Sequence, residues 1–130
     1  MNSFVLDSSA ILALIKNEPG SDVVVSTLPR AVVSAVNIAE VVSKLMDLRS
    51  STAPLDELLA EAKVEIVPFT ESQARLCGEL RAATRSRGLS LGDRACLALA
   101  VERGATAVTA DAAWVGATAA PLLLIRPAKP

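Results

Sequence analysis

The stretch Ser90 to Glu102, SLGDRACLALAVE, decides what kind of fold the chain can adopt. Ser90 suits a helix N-cap, because its hydroxyl accepts from the unpaired backbone N–H groups of the first turn. Asp93, three residues on, completes an S-x-x-D capping pattern. Behind it Ala95, Leu97, Ala98, Leu99, Ala100 and Val101 leave little of the helix surface polar, and a helix that apolar must lie inside the fold. The carboxylate of Asp93 therefore stands where the positive end of a buried helix meets whatever cavity lies there. Capping alone would account for Asp93; chemistry needs company.

The rest of the composition narrows the options. At 130 residues the chain is expected to be a single domain, 1–130, with enough length to bury a core without staples. Its hydrophobic share of 52% and charged share of 21% describe a globular chain and exclude a disordered one. The core must be aliphatic, since Phe4, Phe69 and Trp114 are the only aromatic residues, and this argues against an RNA-binding platform of stacked rings. Cys77 and Cys96 fall in apolar helical contexts without C-x-x-C spacing and read as small core residues of a cytoplasmic protein. No apolar run approaches the roughly 20 residues that span a bilayer, and the short run ending at Asp7 is unlike a signal peptide. Histidine is absent, which removes Ser-His-Asp and Cys-His schemes and H-E-x-x-H zinc sites together. Any catalysis falls to carboxylates.

Outward from the central helix, strands and helices alternate. Phe4 to Leu6 reads as a strand, Asp7-Ser8-Ser9 as an acidic turn and Ala10 to Lys16 as a helix. A short helix then runs to Pro29, followed by a strand over Ala31 to Val33. Ser34 caps an amphipathic helix with Ile38, Val41, Val42, Leu45 and Met46 on one stripe. Glu40 lies off that stripe and shares a face with Asn37 and Lys44. Pro54 to Ala62 is a short helix and Val64 to Phe69 a third strand. Thr70 and Gln73 form a T-x-x-Q box that opens a helix to about Ser86, which carries Arg81 and Arg85 with Arg87 just beyond, a basic run that reads first as a solvated face. Beyond Gly104 come a strand over Ala107 to Thr109, a turn at Ala110-Asp111, a helical turn over Ala112 to Val115 and a strand over Leu122 to Ile125. This order predicts βαβ units around a parallel sheet with helices on both faces.

In such sheets sites gather at the carboxyl ends of the strands. Asp7 follows the first strand and Asp111 the fourth, Asp93 opens the helix that feeds the fourth, and Glu40 stands in the second turn after the second strand. Each has a local explanation as a cap, a capping-box acid or an i, i+4 partner of Lys44. Gathered on one edge, they would raise one another's pKa unless a cation intervened. All-oxygen ligands select a hard ion, Mg²⁺ or Mn²⁺, which suits phosphodiester hydrolysis. The formal net charge is −1, yet setting these four of the 14 acids aside leaves 10 against 13 basic residues, a residual of +3. Weak general affinity for a polyanion follows.

The same residues carry a resemblance. VLDSSAILAL with Asp7, VSAVNIAEVVSKL with Glu40, LSLGDRACLALA with Asp93 and VTADAAW with Asp111 stand in the order and spacing of a PIN domain. Over nearly its full length the chain resembles a VapC-type ribonuclease toxin of a bacterial toxin–antitoxin pair. The resemblance implies a doubly wound, three-layer α/β sandwich with a five-stranded parallel sheet. It further implies a Mg²⁺ or Mn²⁺ site made by Asp7, Glu40, Asp93 and Asp111 as catalytic and metal-binding residues, and endonucleolytic cleavage of RNA. Ser9 and Thr109 match the small polar residues that accompany the first and last acids and would orient them; alternatively they are turn hydroxyls bonding local backbone. A homodimer and a cognate VapB-like antitoxin are the implied partners, with no membrane. Arg94, beside Asp93, is a basic side chain within reach of pairing with it. Water attacking phosphorus in line would leave 5′-phosphate and 3′-hydroxyl ends. The competing reading is a non-catalytic PIN-like partner-binding module; a receiver domain fits poorly, because Asp7 stands alone and Pro68-Phe69 follows the third strand.

Overall fold

The computed structural model describes residues 3–127. Five strands, β1 (Phe4–Leu6), β2 (Ala31–Ser34), β3 (Glu65–Val67), β4 (Thr106–Thr109) and β5 (Leu122–Leu124), pair in parallel in the order β3-β2-β1-β4-β5. β1 is central, with Leu6 opposite Val33 on one side and Val108 on the other. The chain winds outward from β1 to β3, then returns to lay β4 against the free side of β1. This reversal leaves a crevice above the carboxyl ends of β1 and β4.

Six α-helices cover the sheet: α1 (Ser8–Ile15), α2 (Ser21–Thr27), α3 (Ala35–Asp47), α4 (Ala53–Ala62), α5 (Glu71–Thr84) and α6 (Leu91–Arg103). Strand residues alternate between two cores, as the period of two requires. Leu6, Val33 and Val108 pack with Ile11, Val41, Leu45 and Leu55 from α1, α3 and α4. Val5, Val32 and Ala107 pack with Cys96, Leu97 and Ala100 of α6. The expected doubly wound three-layer sandwich is thus the observed one.

The central helix behaves as its composition demands. Ala95 through Ala100 are all 0% exposed. Ser90 and Asp93 form the reciprocal capping box, and Gly104 closes the helix with φ +59°. Cys77 and Cys96 are buried free thiols. Among the described residues no helix is long and apolar enough to cross a membrane.

Three local expectations shift. The third strand is shorter than 64–69, because Pro68 has no N–H to extend the ladder beyond Val67. α5 stops at Thr84 and tightens into a 3₁₀ turn over Arg85–Arg87. At its start only half of the T-x-x-Q pattern operates: Thr70 accepts from the Gln73 N–H, while the Gln73 amide turns inward toward Glu102 Oε1 at 3.4 Å.

Candidate functional site

Asp7 leaves β1 as the N-cap of α1, and its own backbone N–H is still paired to Val108 of β4 at 3.0 Å. The seam between the two central strands therefore fixes its depth, and the residue is only 2% exposed. A buried carboxylate must find donors. Oδ2 receives Ser9 Oγ at 2.7 Å and Thr109 Oγ1 at 2.6 Å; Oδ1 receives the Ser9 N–H at 3.2 Å and Ser8 Oγ at 3.1 Å. The two hydroxyls that donate to Oδ2 lie 3.4 Å from each other, and each also accepts from the backbone. Ser9 Oγ already accepts from the Ala110 N–H and Thr109 Oγ1 from the Asp111 N–H, both at 3.0 Å. Ser9 and Thr109 thus touch Asp7 directly, and at the same time they stitch the β4–turn backbone onto it.

Glu40 arrives from the other side of the crevice on α3. Its Oε1 receives Ser8 Oγ at 2.9 Å, so a single hydroxyl proton is shared between the carboxylates of Asp7 and Glu40. The same oxygen receives Asn37 Nδ2 at 2.9 Å, and that amide also donates to the Gly92 carbonyl at 3.1 Å. The local alternative with Lys44 is not taken: no ion pair between Glu40 and Lys44 forms among the described residues, and the carboxylate accepts from neutral donors.

Asp93 opens α6, with Oδ2 taking the Ser90 N–H at 2.9 Å. Burial pushes its carboxyl above the ordinary aspartate range; the bonds from Ser90 oppose that shift, and the charges of Asp7 and Glu40 add to it. Asp93 is therefore electrostatically joined to the other two acids. Arg94 points elsewhere: it is buried, and its Nη1 donates to the Cys77 carbonyl on α5 at 2.9 Å.

Asp111 stands apart. It is exposed, and its Oδ1 caps the short 3₁₀ turn over Ala112–Trp114 by taking the Ala113 N–H at 2.9 Å. Its link to the centre is its backbone, through Thr109. The Ser8 hydroxyl thus links Asp7 to Glu40, Asp93 stands near enough for both charges to raise its carboxyl, and Asp111 lies exposed beyond them. Ser8 and Asn37 are the polar residues that sequence reasoning passed over; Asn37 had a signal, its helical face shared with Glu40.

Among the described residues no three carboxylates or thiols are drawn together tightly enough to enclose one ion. The chemistry of the donor set nonetheless fits a hard divalent cation. The carboxylates of Asp7 and Glu40 are bridged by one hydroxyl, Asp93 lies close enough to feel both charges, and carboxylate oxygens are the ligands a hard cation takes.

Residues 4–117 match the family model of the PIN domain. The chain is 32% identical over 109 residues to a VapC ribonuclease of Mycobacterium bovis and, equally, to ribonuclease VapC28 of Mycobacterium tuberculosis, covering 76% of this chain and 82% of each relative. In three dimensions it is similar to VapBC2 from Rickettsia felis, solved bound to a DNA fragment from its promoter. That similarity has a TM-score of 0.74 at 20% identity, over 93% of this chain and 97% of the other.

Proposed function

The chain belongs to the PIN-domain family, and from that premise we propose that it is a VapC-type endoribonuclease toxin, dependent on Mg²⁺ or Mn²⁺ and neutralised by a VapB-like antitoxin. The observation that carries the reading is the shared hydroxyl of Ser8 between Asp7 and Glu40, with Asp93 feeling both charges. A purely structural cap gives no reason for Ser8 to bridge the N-cap acid of α1 to an acid on α3.

Asp7, Glu40 and Asp93 would hold the ion, with Asp111 contributing from the rim. Once bound, the ion supplies charge neutralisation at a scissile phosphate and activation of the attacking water. The chain's own residues do the positioning. Ser9 and Thr109 fix the plane of the Asp7 carboxylate through Oδ2, and Ser8 sets its spacing from Glu40. The Ser90 capping box holds Asp93 at the helix mouth. In-line attack by water leaves 5′-phosphate and 3′-hydroxyl ends. We place this activity in the cytoplasm, in one domain over 1–130 acting as a homodimer; the buried free thiols suit a reducing compartment, and half-exposed Met46 on α3 and Leu48 just after it suit a protein partner.

The test is incubation of antitoxin-free protein with total bacterial RNA, with either metal or with chelator, followed by mapping of the cut ends. Discrete, metal-dependent cuts with 5′-phosphates support the reading. Ends carrying 2′,3′-cyclic phosphate would overturn it, since they require attack by the RNA's own 2′-hydroxyl.

A further inference from the structure

Gly92 has no backbone reason to be glycine. It lies in the first turn of α6, it is not among the glycines with positive φ, and alanine is the better helix former. What its missing side chain makes room for is Glu40: a Cβ built there would overlap the carboxyl carbon and both carboxylate oxygens of Glu40. Gly78 in α5 supplies the contrast, because a Cβ built on it meets nothing within 4 Å.

Asn37 completes the arrangement. It is 0% exposed, and its Nδ2 spends one proton on Glu40 Oε1 and the other on the Gly92 carbonyl. Turned over, the amide would set an oxygen against two oxygens, so one orientation is enforced. Asn37 and Ser8 both donate to Oε1, and no donor among the described residues reaches Oε2. One oxygen of Glu40 is anchored, and the other takes no hydrogen bond among the described residues.

We propose that Asn37 and Gly92 are positioning residues for Glu40, the bare α-carbon seating its carboxylate against the mouth of α6 and the amide anchoring Oε1 so that Oε2 is the oxygen left for a ligand. This rests on the reading of Glu40 as part of the metal-holding group. The clash at Gly92 falls on the far end of a flexible side chain, so an added methyl displaces the carboxylate and spares the helix. Function and stability should therefore separate.

The experiment compares Gly92→Ala, Gly78→Ala, Asn37→Ser and Glu40→Ala for RNA cleavage, for Mn²⁺ affinity by calorimetry and for melting temperature in chelator. Gly92→Ala should lower kcat and Mn²⁺ affinity each by about 10- to 100-fold, the usual effect of disturbing a ligand's support, with a far smaller change in melting temperature, since alanine favours the helix while the buried Asn37 amide loses one acceptor. Asn37→Ser should weaken Mn²⁺ binding in the same direction, and Gly78→Ala should change neither readout. In a Glu40→Ala background Gly92→Ala should have no further effect, because the group it displaces is gone. Wild-type cleavage and Mn²⁺ affinity in Gly92→Ala, additive losses in the double variant, or a loss of stability that matches the loss of activity would each overturn the proposal. A wild type that binds Mn²⁺ and cuts no RNA would instead sink the nuclease reading, and the cycle would then be decided on Mn²⁺ binding alone.

Discussion

Asp7 and Asp111 are written into the chain in almost the same way, each following an apolar strand and each capping the turn that comes next, and yet one is 2% exposed and the other lies open to solvent. β1 is flanked by β2 and β4 and covered on both faces, so the residue that ends it stays inside. β4 has only the short edge strand β5 on its far side, and Asp111 is followed by a single 3₁₀ turn, so its side chain finds water and one local N–H. A local cap pattern says where a carboxylate enters a helix; strand order decides whether it enters a core. The comparison predicts that the two acids differ in weight.

The largest effect should come from Asp7→Asn. Removing charge at the joined centre is expected to cost about a thousandfold or more in RNA cleavage, the scale of several kcal/mol of transition-state stabilisation. Whichever way the amide turns, its NH2 meets a donor, the Ser9 N–H on one side or the Ser9 and Thr109 hydroxyls on the other, so chemical denaturation should show a loss of about 1–3 kcal/mol. A variant as active as wild type would break the comparison at its root.

Asp93→Asn should abolish cleavage to a similar extent and act oppositely on stability. Burial, and then the charges of Asp7 and Glu40, raise the Asp93 carboxyl against the bonds from Ser90, so the folded protein takes up this proton more readily than the unfolded chain. The contribution is fully present below the ordinary value of 3.8 and is lost as pH rises through the folded value. In chelator at neutral pH the Asn variant should therefore match or slightly exceed wild type, a small margin because the group is partly solvated. That margin should vanish below about pH 4, and urea melts across pH 3 to 8 would show it. A margin that grows on acidification would reverse the assignment.

Thr109→Val tests the stitch between the two acids. The substitution removes the proton aimed at Asp7 Oδ2 and the acceptor of the Asp111 N–H together. Stability should fall by about 1–3 kcal/mol and cleavage by about 10- to 100-fold, measured as melting temperature and initial rate.

The smallest effect should follow Asp111→Asn. Asparagine caps nearly as well as aspartate, so stability should move by a few tenths of a kcal/mol, and a rim position should cost less than about tenfold in rate. A loss as deep as that of Asp7→Asn would show that the rim acid turns inward when RNA or metal binds, and the comparison would have to be redrawn.

Much of this architecture was legible before any coordinates. The alternation of apolar runs with capped helices gave the parallel sheet, and the composition of residues 95–100 demanded a covered helix, because both signals are local and repeat at the period of their own element. The Ser90–Asp93 box was readable for the same reason. The turn of Gln73 toward Glu102 was not, since the pattern that announced its cap is silent about a competing partner 29 residues away. Nor was the fate of Arg94, which stands beside Asp93 in sequence and meets the Cys77 carbonyl in space.

The sequence by itself determined which elements form, in what order, and which acids arrive at the carboxyl ends of strands. Only the tertiary structure decided that Asp7 is enclosed and Asp111 is not, that Ser8 lies between Asp7 and Glu40, and that Glu40 rests on the bare α-carbon of Gly92. The bonds responsible join residues 32, 55 and 102 positions apart, Ser8 to Glu40, Asn37 to Gly92 and Thr109 to Asp7. Caps and periodicities act within a turn or two of chain, whereas these contacts exist only after β1 has been laid between β2 and β4 and the helices have closed over them.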